Sequence, residues 1–216
     1  MDLHTWLTFF VASWLISLSP GAGAISCMTT GLRFGWRLGV WNILGLQLGI
    51  AAILVVVAAG LGAILAASET AFSAIKWFGV AYLLWLGIQQ WRAPAHSLVD
   101  GDGSARSATP PTRTQLVMRG FLINASNPKG LVFMLAVLPQ FINPAAPQLP
   151  QYLLCGLSLF ITDIVVMNAY TLLAARVLVA LRSPRHQLWL QRSFGTLFIG
   201  AALLLSAFRR SAQIVQ

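Results

Sequence analysis

Apolar positions gather into six blocks, each long enough to supply the ~20 residues that cross a hydrocarbon core. They lie at about 3–31, 39–65, 71–91, 116–141, 152–178 and 189–208. Polar and basic residues collect between the blocks. The segment from Arg92 to Gln115, with Pro94, Gly101, Gly103, Pro110 and Pro111, is the one long hydrophilic loop, and it divides the blocks three and three. The pattern predicts an all-α membrane protein of six transmembrane helices in a single domain over residues 1–216. Its first half covers about 1–91 and its second about 116–216, joined by a loop over about 92–115.

Two blocks are not clean helices. The first is interrupted at Ser19-Pro20-Gly21-Ala22-Gly23 and the fourth at Asn124-Ala125-Ser126-Asn127-Pro128-Lys129-Gly130. Proline removes an N–H and clashes with the preceding turn, and glycine admits backbone geometry that other residues avoid. Both helices should unwind locally, and unwound backbone inside a bilayer is tolerated only beside protein or a water-filled cavity. Each break falls in the first helix of its half. A unit of three spans reverses its orientation on duplication, so the halves are expected to form two inverted three-helix repeats with the binding site between the broken helices. One such proline taken alone is a kink in a packed helix; two in corresponding positions, flanked by Ser, Asn and Gly, favour a site.

Composition narrows the class. The chain is 57% apolar and 9% charged, with a mean hydropathy of +0.76, against roughly 25% charged in a soluble domain. Nineteen charged residues, 14 basic and 5 acidic, cannot cover a soluble surface of this size. The net charge of +9 carries no finger spacing, basic helix or RNA-binding aromatic motif, so nucleic acid is not an expected partner. Positive loops stay cytoplasmic. Arg33, Arg37, Arg92, Arg106, Arg113, Arg119, Arg182, Arg185 and Arg192 fall on one side, and Lys76, Arg209 and Arg210 on the other, which puts both termini outside the cytoplasm. The start, Met1-Asp2-Leu3-His4, has no basic residue before Arg33 and reads as the first span rather than a cleaved leader.

Few candidate chemical groups lie inside the blocks. Lys129 sits near mid-membrane in the fourth, and Asp163 in the fifth is the one carboxylate deep in any span. A charge at that depth costs about 3 kcal/mol on insertion scales unless paired or wetted. Either the two form a structural ion pair, or Lys129 snorkels, or they serve a substrate. In the last case Lys129 and the amides of the breaks receive a carboxylate, while Asp163 holds an ammonium or carries a proton. Gly156, Asp163, Tyr170 and Thr171 share one face of the fifth block, as a polar stripe or a packing face. Gly35, Gly39, Gly45 and Gly49 are spaced for close helix packing. Homodimerisation through that second block stays open. Asn42 and Gln47 either line the pathway or bond between helices. Cys27 and Cys155 have no metal or CxxC spacing and read as small buried hydrophobes. His4, His96 and His186 lie at block ends or in loops, so no histidine relay runs through the core. Most tryptophans mark boundaries, as an aromatic belt requires.

Several stretches resemble the LysE/RhtB family of amino-acid exporters. They are Leu18-Ser19-Pro20-Gly21-Ala22-Gly23-Ala24-Ile25 with Met28-Thr29-Thr30, the run from Lys76-Trp77 to Gln89-Gln90-Trp91-Arg92, and Asn124-x-x-Asn127-Pro128-Lys129 followed by Pro139-Gln140-Phe141. Pro147-Gln148-Leu149, Gln151-Tyr152 and Asp163-Ile164-Val165-Val166-Met167 point to its homoserine-exporting branch. Many relatives carry a second proline where this chain has Ala22. The resemblance implies a bacterial inner-membrane secondary exporter, not an enzyme, without a cofactor. It implies export of homoserine, its lactone and threonine or related amino acids in exchange for protons. The expected substrate-binding residues are Ser19, Pro20, Gly21, Gln47, Asn124, Asn127, Pro128, Lys129 and Asp163. The rival classes are a membrane thiol or redox carrier, or another membrane assembly protein built on a related inverted repeat.

Overall fold

The computed structural model describes residues 1–67, 69–92, 110–174 and 184–207. Pro94, His96, Gly101, Gly103, Arg106, Arg182, Arg209 and Arg210 lie outside the described residues. Eight α-helices are described: α1 (Leu3–Leu18), α2 (Ala22–Phe34), α3 (Trp36–Ala67), α4 (Glu69–Arg92), α5 (Arg113–Ala125), α6 (Pro128–Ala136), α7 (Gln148–Leu172) and α8 (Pro184–Ala207). A 3-10 turn, Leu138–Phe141, continues α6, and no strand occurs among the described residues. The elements follow the six apolar blocks, with the first and fourth each split in two.

Local chemistry sets the helix ends. Asp2 caps α1 by accepting from the Thr5 backbone N–H at 2.8 Å and the Thr5 hydroxyl at 2.8 Å. Thr112 and Gln115 form a reciprocal capping box at the start of α5. Gly35 joins α2 to α3 at φ 77°, a left-handed geometry that strongly favours glycine. Trp36–Gly60 and Gln148–Leu172 are each long and apolar enough to cross a membrane alone. The pair α1–α2, and α5 with the segment Pro128–Phe141 that joins α6 to the 3-10 turn, qualify only when taken together, bent by 55° and 52° at their breaks. Within α4, the apolar stretch is the shorter Trp77–Gln89. Large apolar side chains such as Val55, Val56, Leu149 and Leu153 are more than half exposed, which suits a lipid-facing surface and not a wet one.

Packing radiates from α3, which lies along α5 and also touches α2, α6 and α7. Helices α1 and α2 pack on α7, and α4 runs along α8. Glycine makes the closest approach possible: a Cβ on Gly45 would collide with the Val117 carbonyl, and one on Gly120 with the Asn42 carbonyl. This is the close packing expected of Gly45 and Gly49, and α5 of the same chain occupies that face. Gly39 meets Thr171, whereas Gly35 belongs to the turn and has nothing near it.

The polar stripe expected on α7 resolves mostly into packing. Gly156 faces Leu54, and Thr171 fits between Gly31 and Gly39. Asn42, fully buried, accepts from the Ser26 hydroxyl at 3.2 Å and donates to Cys27 Sγ at 3.5 Å, so its amide bonds α3 to α2, away from the cavity lining described below. Three tryptophans do more than mark boundaries. Their indole N–H groups bridge helices, Trp6 to Ser158, Trp36 to Asn168 and Trp91 to Thr196.

Two apolar clusters result. One, with Phe9, Ile53, Val57, Leu138 and Cys155, joins α1, α3, α7 and the 3-10 turn; the other, with Cys27, Met28, Leu46 and Met167, joins α2, α3 and α7. Both cysteines are free and buried, one in each cluster.

Candidate functional site

At the first break, Ser19 takes an extended backbone (φ −69°, ψ 115°), as the residue before proline must. Helix α1 therefore ends at Leu18, and α2 restarts after Gly21, which supplies no side-chain cap. The first-turn N–H groups of α2 are left as a partially positive end without a capping side chain. The second break follows the same rule. Asn127 is extended (φ −76°, ψ 107°) ahead of Pro128, the first residue of α6, and its side chain accepts from the Lys129 backbone N–H at 3.1 Å. Proline at that position loses nothing, since its N–H would be unsatisfied in any helix. Asn124 fastens this break to α3 by donating to the Leu46 carbonyl at 2.9 Å, and its Oδ1 accepts from Asn127 Nδ2 at 3.4 Å.

Between the breaks, at the seam of the two apolar clusters, lies a cavity of about 70 Å³. That volume has room for several waters. Its polar lining is Ser17, Ser19, Asn124, Asn127, Lys129 and Asp163, with Gly21, Gly23 and Ala24 presenting the start of α2. Its apolar walls include Ile50, Phe133, Met134, Leu159 and Met167.

The two charged side chains share this cavity without forming an ion pair. The Lys129 ammonium donates instead to the Ser19 carbonyl at 2.7 Å and the Ile16 carbonyl at 3.2 Å, and it lies 5.9 Å from the centre of the Phe198 ring. Asp163 accepts from Gln47 Nε2 at 2.6 Å, and Ser17 lines the same cavity. Thus α3 holds the carboxylate of α7, while the end of α1 holds the cation of α6.

Of the expected site residues, Ser19, Gly21, Asn124, Asn127, Lys129 and Asp163 line the cavity. Pro20 and Pro128 shape the breaks behind it. Gln47 stands one layer out, holding Asp163, with its Oε1 buried and unpartnered. Sequence reasoning missed Ser17. Its signal was the spacing of Phe9, Ser13 and Ser17, the three buried residues of α1 at four-residue intervals. Tyr170, expected on the stripe, instead donates to the Leu18 carbonyl at 2.7 Å and closes the end of α1.

Residues 14–207 match the family described as LysE type translocator. The chain is 41% identical over 215 residues to the homoserine/homoserine lactone efflux protein of Salmonella typhimurium, covering 98% of this chain and 100% of that one. It is 39% identical to an uncharacterized membrane protein of Vibrio cholerae, over 95% of this chain and 98% of that one. A leucine efflux protein of Enterobacter is 25% identical over 95% of this chain and 96% of its own. No solved structure matches the chain.

Proposed function

The chain belongs to the LysE translocator family, and from that premise we propose that it is a secondary exporter of L-homoserine and homoserine lactone, with threonine and related hydroxylated amino acids as further substrates, working by proton antiport. The observation that carries the reading is the cavity bounded by both helix breaks, which holds one cation, one carboxylate and the uncapped start of α2. A zwitterion needs an anion site and a cation site a few ångströms apart, and these groups supply both.

Substrate carboxylate is received by the first-turn amides of α2 beside Lys129, where helix polarity and the ammonium favour negative charge. The substrate ammonium sits at Asp163. A proton arriving on Asp163 from the outer side removes the charge that held the amine and releases it. Asn124, Asn127 and Gln47 keep the breaks and the carboxylate in place, and Pro20 and Pro128 keep both helices open.

Alternating access follows from two inverted repeats, α1–α4 and α5–α8, rocking about the cavity. Paired contacts support this reading: α1 packs on α7 as α5 packs on α3, α2 on α7 as α6 on α3, and α4 on its own counterpart α8. The protein lies in the bacterial inner membrane with both termini in the periplasm and the loop over about 92–115 in the cytoplasm. A thiol carrier is disfavoured because Cys27 and Cys155 lie in separate clusters.

Cells overexpressing the chain and challenged with excess homoserine should tolerate it better than cells carrying Lys129→Ala at equal membrane abundance. Equal sensitivity of the two strains refutes the homoserine reading. Selective protection against leucine points instead to the activity of the more distant relative.

A further inference from the structure

The carbonyl end of α1 is met by side chains. Leu15 O accepts from Ser19 N at 3.1 Å within the chain turn. Leu18 O takes the Tyr170 hydroxyl at 2.7 Å, and Ile16 O and Ser19 O converge on the Lys129 ammonium at 3.2 and 2.7 Å. Carbonyls at a helix C-terminus carry partial negative charge and, in an apolar medium, need a donor or a cation. Lys129 is the second residue of α6, the positive end of its own helix and an unfavourable place for a cation. Its stem carries the charge away from that end and onto the negative end of α1. Broken-helix transporters use half-helix ends and unwound carbonyls of this kind to hold a free coupling cation.

We propose that the carbonyl end of α1, formed by Ile16 O and Ser19 O, is a monovalent-cation seat filled from within by the Lys129 ammonium, and that the vacated seat takes a sodium ion or a small primary alkylammonium. The seat is read from geometry alone. Its consequence rests on the exporter reading: with the position covalently filled, export needs no sodium.

The test uses purified full-length protein in detergent, melted in choline, sodium or methylammonium chloride at equal ionic strength. Choline has no N–H and is too bulky for the seat. Wild type should melt alike in all three. Lys129→Met should be less stable in choline and regain on the order of 3 °C or more in sodium or methylammonium. Lys129→Ala removes the stem beyond Cβ, so n-propylammonium is its probe, supplied from extraction onward. It should recover monodisperse, more stable protein. If neither variant responds to sodium or amine, in stability or in recovery, the proposal is overturned. Homoserine efflux by wild type should persist when sodium is replaced by choline. Efflux lost only without sodium refutes the coupling consequence, whereas no efflux in either medium refutes the exporter reading and leaves the stability result to decide the seat.

Discussion

Gln47 donates from Nε2 to Asp163 Oδ2 at 2.6 Å, joining α3 to α7 at the edge of the cavity. A hydrogen bond to a charged group contributes about 1.5–3 kcal/mol. Gln47→Leu should therefore lower homoserine counterflow in proteoliposomes roughly 10- to 100-fold and, because it strips a buried carboxylate of this donor, lower the melting temperature by several degrees. Wild-type counterflow in this variant contradicts the role given to Gln47.

Close packing of α3 on α5 makes a second, independent prediction. Gly45→Ala and Gly120→Ala each place a Cβ on a carbonyl of the facing helix, and overpacking of that kind costs about 1–3 kcal/mol. Both should lower the melting temperature in detergent. Gly60→Ala, with open space around it, should leave the temperature unchanged or raise it. Equal effects at the three positions contradict the described interface.

Much of this was legible in the chain itself. The six apolar blocks, both breaks and the close α3 glycines were readable because proline, glycine and long apolar runs act through local geometry. The partners of Lys129 were not. Charge at mid-membrane signals a need for compensation, but its source was a set of backbone carbonyls about 110 residues away, and carbonyls have no sequence signature. Asn42 and Gln47 illustrate the same limit. Both are buried amides on α3, yet one bonds α2 and the other the cavity carboxylate, a difference set by which helix faces them.

Thiol chemistry offers a third check. With Cys27 and Cys155 buried in separate apolar clusters, the double variant Cys27→Ala, Cys155→Ala should retain homoserine counterflow within about two-fold, since filling small apolar positions with alanine costs little. Loss of transport with intact folding favours a thiol carrier.

At the start of α1, hydrogen bonds from the Thr5 backbone and hydroxyl hold the exposed Asp2 carboxyl below its ordinary value of 3.8. A depressed carboxyl stabilises the fold above its unfolded value and loses that contribution as pH falls through its folded value. The melting-temperature gap between wild type and Asp2→Ala should thus be full near neutral pH and shrink progressively below 3.8. A gap independent of pH contradicts the capping role.

The central claim is that the cavity between the breaks moves a zwitterion against a proton through Asp163. It is tested most directly by homoserine flux in proteoliposomes under an imposed pH gradient, comparing wild type with Asp163→Asn. The gradient should drive homoserine accumulation by wild type, and the variant should show no gradient-driven accumulation. Equal, pH-dependent accumulation by both proteins contradicts it.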